Sequence, residues 1–513
     1  MVNRKINKIM SLFQGPREAD FWSHDKGLGR ARPRKGLSFI AQMECVTYHR
    51  LKKPRVFSIL WVGLCILGNP GTEVFADTGE LSSIESILTK VTERLQVQDY
   101  TGAIALFENL PAAQRESSAF QCLYASILNS AGQTAEARVI VQKVIAAEPS
   151  NTEAFFVLST IEAAVGKERE QRTLLERILK IDPTHVQALI VLGTMSLQSR
   201  SWRTGASYFD RVLEVEPENG DALVGRAQIF RYTQDFQQAE ALLNQAIARF
   251  PDWVSPRVER ARLYRNTRFF ARALADLDAA KRMDGADYWV AVDRGAVLMD
   301  LDKKAESLKE YERAIKLDPD NFLAYVYTAG IKQDLEDYAG AEQAYRAITR
   351  LKPDYYFAFE GLGILNMRKG QWAAARDAFL EAYKRAPKEA NYALLAALNW
   401  MRAGKLRDPE LKQFLQKAMR GVPRDAAAWS MLRLYHDLSG DVDVATRLDK
   451  EKDPDTKAQM CYYLAQYYDI QGIKTLADTY FIQVKKLNRI KIIEWRLNEW
   501  AFEQRNLTIT DKP

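Results

Sequence analysis

Residues able to do chemistry are sparse in this 513-residue chain. It holds four histidines (His24, His49, His185, His436) and four cysteines (Cys45, Cys65, Cys122, Cys461). Only His185, His436, Cys122 and Cys461 lie beyond an apolar run, "VFSILWVGLCILG", at residues 56–68. No two cysteines form a CxxC pair, so neither a disulfide framework nor a thiolate metal site is expected. HExxH, GxSxG, P-loop and GxGxxG patterns are absent from the sequence, and with them the spacings that place a base on a metal or cradle a phosphate. "GLGRARPRKG" at 27–36 is no phosphate loop, because no strand leads into it and no helix follows. His185, in the turn "DPTHVQ", reads as a solvated turn residue, and His436, in "RLYHDLSG", ends a helix facing a neighbour or solvent. The expectation is a non-enzyme with no catalytic residues, no metal and no cofactor.

The formal net charge of +7 belongs to the N-terminal region. Residues 1–55 carry 13 Lys/Arg against 4 Asp/Glu, and the body from residue 77 onward is close to neutral. Non-specific phosphate binding needs a basic face, so nucleic acid is not an expected partner. Pro and Gly are not enriched and no segment is of low complexity, which argues for folded structure beyond the N-terminal region.

"HRLKKPR" precedes the apolar run and "NPGTEVFADTG" follows it. A basic stretch, an apolar core, the helix breakers Asn69, Pro70 and Gly71, and Val74 and Ala76 at the −3 and −1 positions make the pattern of a secretory signal peptide over 50–76. A membrane span needs about 20 apolar residues, and this core is shorter. Cleavage after Ala76 would leave Asp77 as the mature N-terminus and the product in the periplasm or cell envelope. Retention of the segment would make it a membrane anchor. Lipid attachment at Cys65 is disfavoured by Leu64, where a small residue is wanted. Residues 1–49 read as a leader extension without a fold, with Met43 as an alternative start.

The elements that would position any site repeat at a fixed interval. Pro149, Pro183, Pro217, Pro251, Pro319, Pro353 and Pro387 fall on a 34-residue beat, with Gly285 on the one beat that lacks proline. Within a period such as 356–389, apolar residues recur at three- and four-residue steps, which predicts two amphipathic helices. Gly370 closes the first helix and Pro387 ends the second. One such pair cannot bury both faces alone, so the pairs must stack on one another.

These residues resemble the tetratricopeptide repeat. Leu362-Gly363, Ala375, Phe379, Ala382 and Pro387 fall on its signature positions, as do Leu192-Gly193, Phe209 and Pro217, and Ala341, Tyr345 and Pro353. The resemblance implies an all-α superhelical solenoid of about twelve helix pairs over 83–487. An irregular unit at 83–111 is followed by regular ones over 118–389, a longer one at 390–425, a weak one at 426–457 and a last at 458–487. Residues 488–513, with Trp495 and Trp500, read as a capping helix and tail; the Trp pair could instead meet a partner.

The same resemblance implies that partners lie along the face lined by positions 2, 5, 9 and 12 of each first helix. Those positions bring together Arg231, Arg262 and Arg265, with Trp289, Met299, Gln333 and Met367 beyond them. Arg with aromatic and Met residues is the composition of contact hot spots, suited to a peptide bearing carboxylates. The alternative is that these arginines pair with Asp221 or neighbouring acids. The pattern that clamps chaperone C-termini, Lys at 5 with Asn at 9 and 12, is missing; its nearest approach is Cys122, Ser126 and Asn129. The chain is thus expected to be an exported bacterial protein-binding scaffold. A glycan-associated envelope factor is the second reading, because Trp202, Trp253, Trp289 and Trp372 could stack on sugars.

Overall fold

The computed structural model describes residues 87, 89–95 and 97–508. The leader extension, the segment at 50–76 and the tail from 509 lie outside the described residues. Among the described residues there are 25 helices and no strand, so the fold class is an all-α helical-repeat solenoid. It divides into two compact units, one ending at Asp293 and one starting at Arg294.

The first unit holds α1 (Tyr100–Glu108), α2 (Ala112–Arg115), α3 (Ser118–Ser130), α4 (Thr134–Ala147), α5 (Thr152–Ala164), α6 (Glu168–Ile181), α7 (Val186–Gln198), α8 (Trp202–Val215), α9 (Gly220–Tyr232), α10 (Phe236–Arg249), α11 (Val254–Asn266) and α12 (Phe270–Met283). The division falls within α13 (Tyr288–Asp300). The second unit continues with α14 (Lys304–Leu317), α15 (Phe322–Asp334), α16 (Tyr338–Leu351), α17 (Tyr356–Arg368), α18 (Trp372–Arg385), α19 (Ala390–Arg402), α20 (Pro409–Arg420), α21 (Ala427–Asp437), α22 (Asp441–Lys450), α23 (Pro454–Ile470), α24 (Lys474–Leu487) and α25 (Ile493–Gln504).

From α3 to α18 every first helix has 13 residues, every second helix 14, and start points advance by 34. The turn inside each hairpin needs one residue in the left-handed region. Gly132, Gly166, Gly370 and Gly404 supply it, but Arg200, Gln234, Arg268, Asp302 and Glu336 hold the same beat at φ between 56° and 66°. A side chain in that conformation costs about 1–2 kcal/mol, so tertiary packing holds these five turns. Where a proline follows, the second helix ends on a residue outside the helical region, such as Glu148, Asp182 and Glu216, each at φ −127°, as that proline requires.

The two helices of a pair bury different amounts. Second helices bury one stripe, for example Ala375, Ala378, Phe379 and Ala382 of α18. First helices are packed on more sides; α19 buries all ten residues from Tyr392 to Met401. The small residues of the repeat have a steric cause. A Cβ on Gly363 would lie 2.6 Å from the Phe379 ring, and one on Gly361 2.4 Å from the Tyr345 ring. The second-helix ring therefore rests on bare first-helix backbone, and burying such a ring contributes roughly 1.5–3 kcal/mol.

His185 differs from the solvated turn residue expected. It is 6% exposed and caps α7, its Nδ1 accepting the Ala188 N–H at 3.2 Å. Its ring stacks on Phe156 at 5.9 Å. Asn151, Asn219 and Asn321 hold the equivalent place before α5, α9 and α15 and also accept from a helix N–H. Desolvation lowers the His185 pKa despite the charge of Asp182.

Candidate functional site

In the first unit the inner face is the row of first helices α9, α11 and α13. Arg231 comes from α9, Arg262 and Arg265 from α11, and Trp289 from α13. Two carboxylates stand between the arginines. Arg231 Nη2 is 3.4 Å from Glu259 Oε2, and Arg262 Nη1 is 2.5 Å from Glu259 Oε1. The other edge of the Arg262 guanidinium donates to Asp293, at 3.0 Å from Nε and 2.7 Å from Nη2. Glu259 is 1% exposed and Arg262 6%. The result is a buried, charge-balanced ladder of two cations and two anions across three successive first helices.

Burying charge is costly unless it is paired with good geometry, and here each carboxylate reaches a guanidinium. Arg231 also lies 4.4 Å over the Tyr232 ring. Arg231 and Arg262 are therefore used in joining repeats. Glu259 and Asp293 are acids that pair with them in the ladder. Both fall at position 6 of their first helices, 34 residues apart, outside the four positions taken from the family pattern. A carboxylate repeated on the beat beside repeated arginines was the available signal. Arg265 and Trp289 remain half-buried on the same face, with the Trp289 ring edge-on to Tyr288 at 5.1 Å.

Met299, Gln333 and Met367 belong to the second unit. Gln333 Oε1 accepts the Tyr345 hydroxyl at 3.0 Å. Met367 is buried in the apolar cluster that contains Ile493 and Leu497 of α25. The C-terminal helix thus lies along inner-face positions of earlier repeats as well as against α23 and α24. A small cleft there is lined by Val326, Phe357, Glu360 and Ile364 on one side and by Arg496 of α25 on the other. Val326 is position 5 of its repeat, and Phe357, Glu360 and Ile364 are positions 2, 5 and 9 of the next.

Polar contacts hold α25 in place. Glu494 is fully buried; its Oε1 accepts the Tyr463 hydroxyl at 2.6 Å and its Oε2 the Gln459 amide at 3.3 Å. Burial pushes the Glu494 carboxyl up to about 7, with the charge of nearby Glu360 adding to the rise. Glu360 is itself raised by desolvation, although Tyr392 donates to it at 2.6 Å and Arg496 faces it. Arg368 of α17 lies 4.8 Å over the Trp500 ring. Arg505 pairs with Asp469 and, at 2.6 Å, with Asp478.

Other titratable groups have plain packing roles. Cys122 and Cys461 are buried, and desolvation pushes both thiols up to about 12, far from a reactive thiolate. His436 Nδ1 sits 2.6 Å from Asp437 Oδ1. Among the described residues no group of His, Cys, Asp and Glu has the arrangement of a metal site. No helix among them is long and apolar enough to cross a membrane. The tryptophans considered for sugar stacking are engaged: Trp202 stacks on Tyr232 at 4.8 Å, Trp253 meets Phe250 at 5.9 Å, and Arg402 lies 5.7 Å over Trp372.

Stacked 34-residue helix hairpins whose first helices line one face define a helical-repeat interaction protein. The repeat family follows from sequence comparison. Residues 292–356 and 331–390 match the family model described as tetratricopeptide repeat, and residues 166–274 match that of the tetratricopeptide repeat protein 21 N-terminal ARM repeat. The chain is a tetratricopeptide-repeat protein. Among solved structures it is similar to a tetratricopeptide repeat protein from Parabacteroides merdae, at 18% identity over 49% of this chain and 99% of that one, with a TM-score of 0.40. It is also similar to Pseudomonas aeruginosa pilF (17% identity, 39% and 92% coverage, TM-score 0.36). A third is YrrB, described as a TPR protein with an unusual peptide-binding site (19% identity, 38% and 98% coverage, TM-score 0.32). No curated protein matches the chain.

Proposed function

We propose that this chain is a non-enzymatic scaffold of the bacterial periplasm or cell envelope, holding protein partners on its inner face. A tetratricopeptide-repeat fold serves protein–protein interaction, and proteins of this family are generally non-enzymatic. The observation that carries the reading is the row of first helices, which brings residues 34 apart in sequence onto one face. In the first unit that row presents Arg265 and Trp289 beside a ladder already neutralised by Glu259 and Asp293. A partner segment bearing an apolar anchor fits the half-buried Trp289. The export half of the proposal rests on the signal-like sequence at 50–76.

A photo-crosslinking residue at position 289, compared with one at the exposed position 143 of α4, tests the scaffold in intact cells. Discrete protein adducts from 289 and none from 143 are expected. Equal labelling from both positions would sink the inner-face assignment. Fractionation with N-terminal sequencing tests export, with Asp77 expected first.

A further inference from the structure

The second unit carries an occupant of its own inner face. Helix α25 presents Arg496 to Asp334 of α15, Tyr345 of α16 and Glu360 of α17. It lays Trp500 against Arg368 of α17 and Leu497 into the cluster that holds Ile364 and Met367. An amphipathic helix lying in a groove between repeated helices is how such grooves take peptide helices. Like the charged ladder of the first unit, this interface buries polar side chains among apolar ones. Glu494 and Asn498 of α25 are both fully buried. Asn498 Oδ1 and the Trp495 Nε1–H, also buried, have no hydrogen-bond partner. An unsatisfied buried group costs about 1–3 kcal/mol, which weakens the seating of α25.

Glu494 of α25 and Glu360 of α17 lie near enough for the Glu360 charge to add to the rise of the Glu494 pKa. The groups around them are Tyr462, Tyr463 and Gln459 of α23, Tyr392 of α19, Tyr345 and Asp334 towards Arg496, and Arg496 itself. No cation forms an ion pair with Glu494 among the described residues; Lys485 of α24 is taken by Glu499. We propose that α25 is an intramolecular ligand of this groove, seated at mildly acidic pH and released at alkaline pH, and that the groove then accepts an amphipathic helix presenting an arginine to Glu360 and Asp334. The proposal rests on the reading of the inner face as the binding face.

The sign follows from linkage. A carboxyl whose pKa is higher when docked than when free favours docking below the free value, and the preference fades as pH rises through the docked value. With Glu494 at about 7 when docked and about 4.3 when free, the opening constant of α25 rises roughly tenfold between pH 6 and 8.5. Two measurements on the full chain test this. Hydrogen exchange of residues 493–504, corrected for the intrinsic pH effect, reports opening. Anisotropy of a labelled synthetic peptide of residues 490–508 carrying Glu494→Gln, whose own docking does not titrate at that position, reports access to the groove. The expected result is about tenfold faster corrected exchange in α25 at the higher pH, with α24 unchanged, and peptide binding that strengthens in parallel. Glu494→Gln should keep α25 protected at both pH values and abolish the change in peptide binding. Arg496→Ala should loosen α25 at both and raise peptide binding.

Equal protection of α25 and α24 at both pH values would overturn the proposal, as would a pH response surviving in Glu494→Gln. Faster exchange without peptide binding would overturn the groove as a helix site. No outside partner enters these measurements, so their failure leaves the crosslinking test at 289 intact, and failure of crosslinking leaves these readable.

Discussion

Replacing Arg262 by alanine should unfold the middle of the first unit well before it affects any partner. The guanidinium satisfies Glu259, which is 1% exposed, and Asp293, which is 4% exposed. Its removal takes from Asp293 and Glu259 the guanidinium that bridges them, while Arg231 stays at 3.4 Å from Glu259. Breaking a buried pair by removing one partner costs about 3–5 kcal/mol, a large share of the roughly 5–15 kcal/mol that holds a domain together. Arg262→Lys keeps the charge but cannot span both acids with one planar fork, so it should lie between alanine and wild type. Arg262→Met combined with Asp293→Asn leaves Glu259 paired with Arg231, removes the uncompensated charge and should recover most of the loss. The assay is urea unfolding followed by far-UV circular dichroism and by the fluorescence of Trp253 and Trp289, because repeat arrays need not unfold in one step. Arg262→Ala within about 1 kcal/mol of wild type, the range of an exposed pair, would refute the ladder. It would return Arg262 to the pool of side chains free to meet a partner.

Two further expectations come from the repeat geometry. Gln234→Gly or Arg268→Gly should raise stability by up to about 1 kcal/mol, whereas Gly370→Ala should lower it by about 1 kcal/mol; all three sit on the same left-handed beat, and a Cβ on Gly370 would meet nothing within 4 Å, so only backbone strain differs. Thermal melts of the three variants check this, and a loss in the glycine variants would show that the Gln234 and Arg268 side chains contribute more than their strain costs. His185 has a lowered pKa in the fold, so the unfolded chain binds its proton first; the stability it contributes is complete above about pH 6.5 and declines as pH falls below that. His185→Asn, the residue found at this place before α5, α9 and α15, should keep the cap and flatten the pH dependence between about 5 and 7, and an unchanged slope in urea titrations across that range would assign the effect to another group.

The fold was legible because one interval governs it. Proline on the 34-residue beat, glycine or alanine under an aromatic ring and apolar steps of three and four are local features that each repeat states afresh. The same logic shows where legibility stopped inside the first unit. Glu259 and Asp293 stand on the beat, but their pairing with Arg231 and Arg262 depends on which rotamers cross between repeats. Positions taken from the family face therefore found the cations and missed the anions. The burial of His185 is illegible for a related reason: its neighbours Asp182, Pro183 and Thr184 are turn residues, whereas the ring of Phe156 that stacks on it comes from the preceding repeat.

The second unit shows what a period cannot carry. Arg402 reaches Gln466 and Asp469, 64 and 67 residues away, and the Tyr463 hydroxyl reaches the Asn391 carbonyl 72 residues away. None of these separations is a multiple of the repeat; they exist because α23 lies against α19 and α25 lies along the inner positions of α15 and α17. From its sequence α25 is an amphipathic helix with two tryptophans, which fits a cap and a groove ligand equally. The distinction lies in its buried polar residues. A cap needs an apolar stripe against one neighbour and a solvated outer face. Instead, Glu494 and Asn498 are fully buried, and Arg496 faces acids from two earlier repeats. A carboxyl group buried beside another carboxyl group is costly in a permanent contact, whereas in a contact made and broken with pH it sets the direction of release.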